Sequence, residues 1–324
     1  MLGSLLWFTI AGKRLDDDEG ESASVQVTRP QMAAWFEELG LDMNYLPAAA
    51  RAVDAFRAAS SDVGVRYDLP AEGQRAELVV QEVTNSSEVV VRHVLREVID
   101  ARSQAVRQDK VAELKFYRAS RTNRGRRPGT ESWKYVILRG LPDLDAGHVQ
   151  ALINRFGERY LQHLEYVSTK ALRKTIREYV VDMQAILIIP TGGVYFVHED
   201  RAEEVAGLKE LVKRIDEGSS FHTVPLPDTP AQREMLTTAF EDEVTKYTRR
   251  LQAKINDLPD WHNPNAMIPP ATYRECSREY QYILDRAEHH TSRLGLREER
   301  AAEAVAAVRE QLVEMSQRLA RRAR

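Results

Sequence analysis

The stretch 78-LVVQEVTNSSEVVVRHVLREVI-99 holds two runs rich in β-branched residues, separated by Thr84, Asn85, Ser86 and Ser87. Branched side chains favour the pleated backbone, and a polar Asn/Ser cluster between two such runs marks a turn, so a β-hairpin is expected. Two more strand candidates follow at residues 111–120 and 133–139, joined by residues 121–132 with Gly125, Pro128 and Gly129. The expectation is a four-stranded antiparallel meander.

Away from this centre the apolar period changes. Upstream, residues 5–10 read as a strand. Thr28 before Pro30 marks a helix start carrying Met32, Trp35, Phe36 and Leu39, and a short helix carries Val53, Ala55, Phe56 and Ala59. Downstream, from residue 143 to about 184, apolar residues such as Val149, Ile153, Phe156, Tyr160, Leu164 and Val167 recur mostly every three or four positions. This predicts one long helix, or two with a break. A second hairpin is expected at residues 186–189 and 194–197, because Gly192 and Gly193 between them can adopt the positive φ of a tight turn. A helix over 201–215 and a strand over 221–226 complete this part.

Thr229 before Pro230 opens a long helix, with Gln232 placed for reciprocal capping and Leu236, Phe240, Val244, Tyr247, Leu251, Ile255 and Leu258 along one face. Beyond a proline-rich stretch, Tyr273, Cys276, Tyr280, Ile283 and Ala287 mark one helix. Val305, Val308, Leu312, Met315 and Leu319 mark another, with a joint near Gly295. The fold class is therefore α+β: an antiparallel β-meander with long amphipathic helices and a C-terminal helical region. Three segments are expected, 1–75, 76–228 and 229–324. The last forms a bundle within one chain or coiled-coil-like contacts between chains.

The 324 residues are 43% hydrophobic and 29% charged, which excludes disordered and collagen-like classes. The net charge of −3 does not by itself mark a nucleic-acid binder. The lone Cys276 fits a reducing compartment, with cytoplasm the expectation. Residues 2–11 are apolar but about half the length of a membrane span, so no membrane partner is expected.

Charge is distributed unevenly. Residues 107–139 contain ten cations (Arg107, Lys110, Lys115, Arg118, Arg121, Arg124, Arg126, Arg127, Lys134 and Arg139) against Asp109, Glu113 and Glu131. This segment is at +7, so the remainder carries −10. Such a basic hairpin arm can grip phosphates through its guanidinium forks, with Tyr117 or Trp133 as a stacking surface. It can equally dock on an acidic face of a neighbouring subunit, or simply be solvated. Lys170, Arg173, Lys174 and Arg177, at i, i+3, i+4 and i+7, form a second basic stripe on one helical face.

Catalytic spacing is weak by comparison. His198, Glu199 and Asp200 end a strand; if that strand, the following helix and the strand over 221–226 form a right-handed parallel crossover, His222 begins the second strand on the order of 13 Å along the sheet. Adjacent His289 and His290 diverge by about 100° on a helix and do not form a zinc clamp. Gly192 and Gly193 lack the Lys-Ser or Lys-Thr of a phosphate loop, and Cys276 lies in an apolar register. The acidic run from Asp16 to Glu21 reads as a mobile loop. No cofactor and no metal are expected.

Trp35-Phe36-Glu37-Glu38-Leu39, Asp54-Ala55-Phe56-Arg57 and Gly192-Gly193-Val194-Tyr195-Phe196 resemble an uncharacterised family of actinobacterial, archaeal and phage proteins. That resemblance implies a phage or mobile-element context and no transferable activity. Together these features point to a non-enzymatic, oligomeric assembly or adaptor protein that contacts protein subunits through its basic arm and C-terminal helices. Two alternatives stay open: nucleic-acid binding through the arm and the basic helix face, and a hydrolase or metal enzyme with a dispersed site.

Overall fold

The computed structural model describes residues 1–12, 24–70, 74–99, 105–118, 131–258, 261, 268–295 and 302–320. The acidic run 16–21 lies outside them. The fold is α+β, and the chain divides into two compact units, Ile10–Thr175 with Arg214–Ser219, and Met1–Thr9 with Ile176–Lys213 and Ser220–Arg324.

The N-terminal elements are β1 (Gly3–Thr9), β2 (Ser24–Thr28), α1 (Arg29–Glu38) and α2 (Ala52–Ser61). Thr28 caps α1 through the Gln31 N–H while the Gln31 side chain accepts from the Thr28 N–H, satisfying two donors that the first turn leaves unpaired. An antiparallel sheet follows, in the order β3 (Val65–Asp68), β4 (Arg75–Asn85), β5 (Val89–Ile99), β6 (Ala105–Tyr117) and β7 (Ser132–Ile137). It has five strands where the apolar runs predicted four. β4 and β6 begin earlier than expected because their polar ends pair across strands, as Arg66 does with Glu77, and polarity there hid the strand.

On β5, Val90 and Val94 face the same side as Phe116 and Leu114 of β6, in one core with residues of α2 and α3 (Asp143–Glu165). Phe56 of α2 is fully buried between Phe116 and Phe156, its ring centroid 5.4 and 5.2 Å from theirs. Burying such a ring contributes roughly 1.5–3 kcal/mol. Arg92 and Arg96 share this buried face. Arg92 bonds Ser60 and pairs with Glu82; Arg96 pairs at 3.0 Å with Asp145, which also accepts from the Tyr67 hydroxyl.

The apolar period over residues 143–184 resolves into two helices. The break is β8 (Tyr166–Ser168), which pairs with β2, and Ser168 Oγ then accepts from Ala171 N in the first turn of α4 (Thr169–Asp182).

The other unit holds β9 (Ile186–Ile189), β10 (Val194–His198), α5 (Ala202–Ile215) and β11 (Ser220–Leu226). Gly193 takes φ +61° in the hairpin turn, as its sequence context required. The sheet order is β11-β1-β10-β9, with β1 antiparallel to both neighbours. β10 and β11 therefore run parallel with the N-terminal strand inserted between them.

The last helices are α6 (Pro230–Asn256), α7 (Pro270–Leu294) and α8 (Ala302–Ala320). They close on one another: Phe240, Val244, Leu251, Cys276, Ile283, Val308, Leu312 and Met315 share one core, to which β9 contributes Ile186. The seam is thus an intrachain bundle. Thr229 caps α6 through Gln232 N, but the reciprocal half expected from the sequence is not made, and Gln232 Oε1 is buried without a partner.

Candidate functional site

The basic strands β6 and β7 end the five-stranded sheet, and the arrangement sorts their cations into two groups. Arg107 pairs with Asp109 at 2.6 Å, and Lys110 and Lys115 each hold a carboxylate oxygen of Glu113. Hydrogen bonds from Lys110 and Lys115 pull the Glu113 carboxyl down to about 2. The positive charge along β6 is therefore answered locally. Residues 118–139 retain seven cations against Glu131 alone.

Arg118 leaves the end of β6 and donates from Nη2 to Asn85 Oδ1 at 3.0 Å; Arg57 of α2 donates to the same oxygen. The Nε atoms of both guanidiniums are buried without a partner. Two cations thus converge beside the end of β6 on one neutral amide, with Arg57 also donating to Asp54 Oδ1 at 3.3 Å. Sequence reading missed Arg57 and Asn85, because helix 52–61 and the turn after residue 83 meet only through sheet packing. The pairing of a turn Asn with a helical Arg was the only available signal.

Arg121, Arg124, Arg126 and Arg127 lie outside the described residues. Of the two rings considered for stacking, Trp133 is built into the α3 contact, edge-on to Phe156 at 4.8 Å and against Gly157. Tyr117 is 42% exposed, with Lys134 Nζ 6.0 Å from its centroid. Lys170, Arg173, Lys174 and Arg177 are all exposed on α4, where Arg173 Nη2 donates to Ile10 O at 2.6 Å.

The histidines of the described residues are tied into structure. His93 contacts Glu113, His163 contacts Asp62 at 2.7 Å, His148 stacks on Tyr67 and His222 on Trp7. His198 Nδ1 lies 3.0 Å from Asp200, which Arg293 also holds. Across β1 the registers of His198 and His222 fall on Gly3 and Trp7, four residues apart, with β1 between their strands. His290 is 3% exposed against Phe240, and burial drives its imidazole down to about 3. Among the described residues no group of three or more His, Cys, Asp and Glu is arranged to hold a metal ion. Cys276 is buried, which raises its thiol.

A groove of about 880 Å³ runs along α6 and α7 between Tyr247, Arg250, Lys254, Arg278 and Tyr282. Its lysine is already committed: Glu275 and Glu279 both accept from Lys254 Nζ and hold its ammonium above the usual lysine range. No described helix is long and apolar enough to cross a membrane.

A family model described as a family of unknown function (DUF6744) matches residues 1–321. No curated protein and no solved structure matches the chain.

Proposed function

We infer that this chain, which belongs to the family of unknown function whose model spans it, is a non-enzymatic, oligomeric assembly or adaptor protein. Its contact element is the arginine-rich β6–β7 connection, gripping an acidic partner surface. One observation carries the reading: Asp109 and Glu113 neutralise the strand cations, so the excess charge is left on residues 118–139. Guanidinium forks favour carboxylate or phosphate partners. The rest of the chain is acidic, so a neighbouring copy is itself a complementary partner. The phage or mobile-element setting implied by the resemblance belongs to the same proposal.

The C-terminal helices contribute less than their sequence promised, because their apolar seam is used within the bundle. Nucleic acid remains the second reading, favoured by the exposed Tyr117 ring beside Lys134. The deciding experiment replaces Arg124, Arg126 and Arg127 with alanine and compares light-scattering mass with anisotropy on a labelled single-stranded oligonucleotide. Loss of assembly without oligonucleotide binding supports the adaptor; loss of oligonucleotide binding alone supports the second reading. A triple variant unchanged in both removes the arm from function.

A further inference from the structure

The antiparallel pair α6 and α7 is held in one register by contacts along its length. Lys254 reaches Glu275 and Glu279, Tyr247 meets Tyr282, and Glu243 pairs with Arg286. In that register Arg250 and Arg278 come level with each other, about one helical turn from the tyrosines. They line the two sides of the groove of about 880 Å³, a size that holds a small organic ligand. Every residue lining it belongs to one compact unit of the chain.

The groove sorts its charges. Glu275 and Glu279 are both spent on Lys254, so that trio occupies one end with its charges already answered. Arg250 and Arg278 are exposed and make no hydrogen bond or ion pair among the described residues. Glu275 feels the Arg278 charge without pairing with it. Two like charges level across a groove repel, and an oxyanion between them replaces that repulsion with two charge-assisted forks.

Beside the arginines the walls are aromatic and the floor is apolar. Tyr247 and Tyr282 stand edge-on to each other, ring centroids 6.3 Å apart, with buried Leu251 and Ile283 lining the groove beside them. Such a pair offers a ring face and a ring edge to a third aromatic group. Burial raises both phenols, Tyr247 to about 12, and the two glutamates keep Lys254 charged. None of the three is a nucleophile near neutral pH, which suits a groove that holds a ligand without converting it.

We propose that this groove binds a small aromatic oxyanion, its ring against Tyr247 and Tyr282 and its phosphate or carboxylate between Arg250 and Arg278. The spacing sets the ligand. One turn of helix, about 5 Å, separates the ring site from the anion site, so the charged group sits on the ring or one atom away from it. The site is independent of the arginine-rich connection between β6 and β7 and of the oligomer reading.

The test titrates phenyl phosphate, phenylacetate, inorganic phosphate and benzyl alcohol into the full chain by calorimetry, with saturation-transfer NMR for weak binding. Phenyl phosphate or phenylacetate should bind with a Kd of about 1 mM or below, and the tighter of the two identifies the charged group. Inorganic phosphate and benzyl alcohol each carry half of the chemistry and should bind at least about tenfold more weakly. Arg250→Gln combined with Arg278→Gln should weaken the aromatic oxyanion about tenfold or more, since each removes a charged hydrogen-bond donor. Both side chains are exposed and unpaired, and circular dichroism of the double variant reports that it folds. The alanine triple variant at Arg124, Arg126 and Arg127 should bind as the wild type does, which separates this groove from the arm. No probe binding at about 10 mM, unchanged affinity in the Arg250 and Arg278 double variant, or loss of binding in the arm variant overturns the assignment. Inorganic phosphate binding as tightly as phenyl phosphate overturns it too, because the ring would then contribute nothing.

Discussion

In the helical unit Arg286 Nη2 sits 3.0 Å from each carboxylate oxygen of Glu243. The same nitrogen donates to Ala185 O at 2.7 Å just beyond the end of α4, where Gln184 adopts φ +62°. The guanidinium side chain is 3% and the carboxylate 12% exposed, and Tyr282 lies against the cation. One buried charge therefore joins α6, α7 and the turn into β9. Removing one partner of such a pair strands the other, so Arg286→Ala should cost about 3–5 kcal/mol in urea unfolding. Arg286→Met combined with Glu243→Leu should recover most of that loss. Equal stability of the single and double variants would contradict the account.

Acid stability should depend on His290. Burial, with Arg286 and the neighbouring His289 adding to it, holds the folded imidazole at about 3, against an ordinary value of 6.5. Below 6.5 the unfolded chain takes up a proton that the folded chain refuses, so stability present above that value is lost as pH falls towards 3. His290→Leu should reduce the fall in melting temperature between pH 7 and 4.5, and should also remove the unpartnered Nε2. Parallel melting curves for wild type and variant across that interval would refute the assignment.

The alkaline limb has the opposite sign. Burial and the bond to Asp145 push the Tyr67 phenol up to about 12, and burial beside Glu243 does the same for Tyr247. Their stabilisation is complete below pH 10 and is lost as pH rises through 12, because the unfolded chain releases these protons first. Ultraviolet phenolate titration should show late-ionising tyrosines, of which one disappears in Tyr67→Phe and another in Tyr247→Phe, while Tyr160 and Tyr282 are also raised by burial.

Gly3 allows β1 to enter its sheet. A Cβ at this position would lie 2.1 Å from Val197 O and 2.9 Å from His198 Cα. Gly3→Ala must therefore separate β1 from β10, and a loss of about 2 kcal/mol or more is expected in thermal unfolding, in the range of overpacked cores. A neutral result would mean that the two strands are further apart than described.

If the arm grips duplex DNA through five phosphates, log affinity should fall with log salt at a slope of about −4.5. The alanine triple variant at Arg124, Arg126 and Arg127 should flatten the slope by about 2.7. Salt-independent binding would exclude a phosphate grip.

Much of the secondary structure was legible because its signals are local. The β-branched runs around Thr84–Asn85, the Thr28 and Thr229 caps and the three-four spacing of α6 each report the next few residues alone. The additions and corrections lie where polarity or pairing overrides local preference. β3 and the start of β6 are strands because of cross-strand partners, and β8 interrupts an unbroken helical period because β2 supplies hydrogen bonds. At the candidate site the cationic excess was visible as a count. The neutralisation of the strand cations was not, since Lys110 and Lys115 meet Glu113 in the folded geometry.

The amino-acid order alone determined the α+β class, the helix starts and the place of the basic run in the sequence, because propensity, capping and charge act along the chain. Only the tertiary structure decided that β1 lies between β10 and β11, that the C-terminal seam closes inside one chain, and that β8 breaks the helical run to pair with β2. Each of these depends on which distant surface is buried first against which, and that competition is settled by packing and backbone pairing in three dimensions.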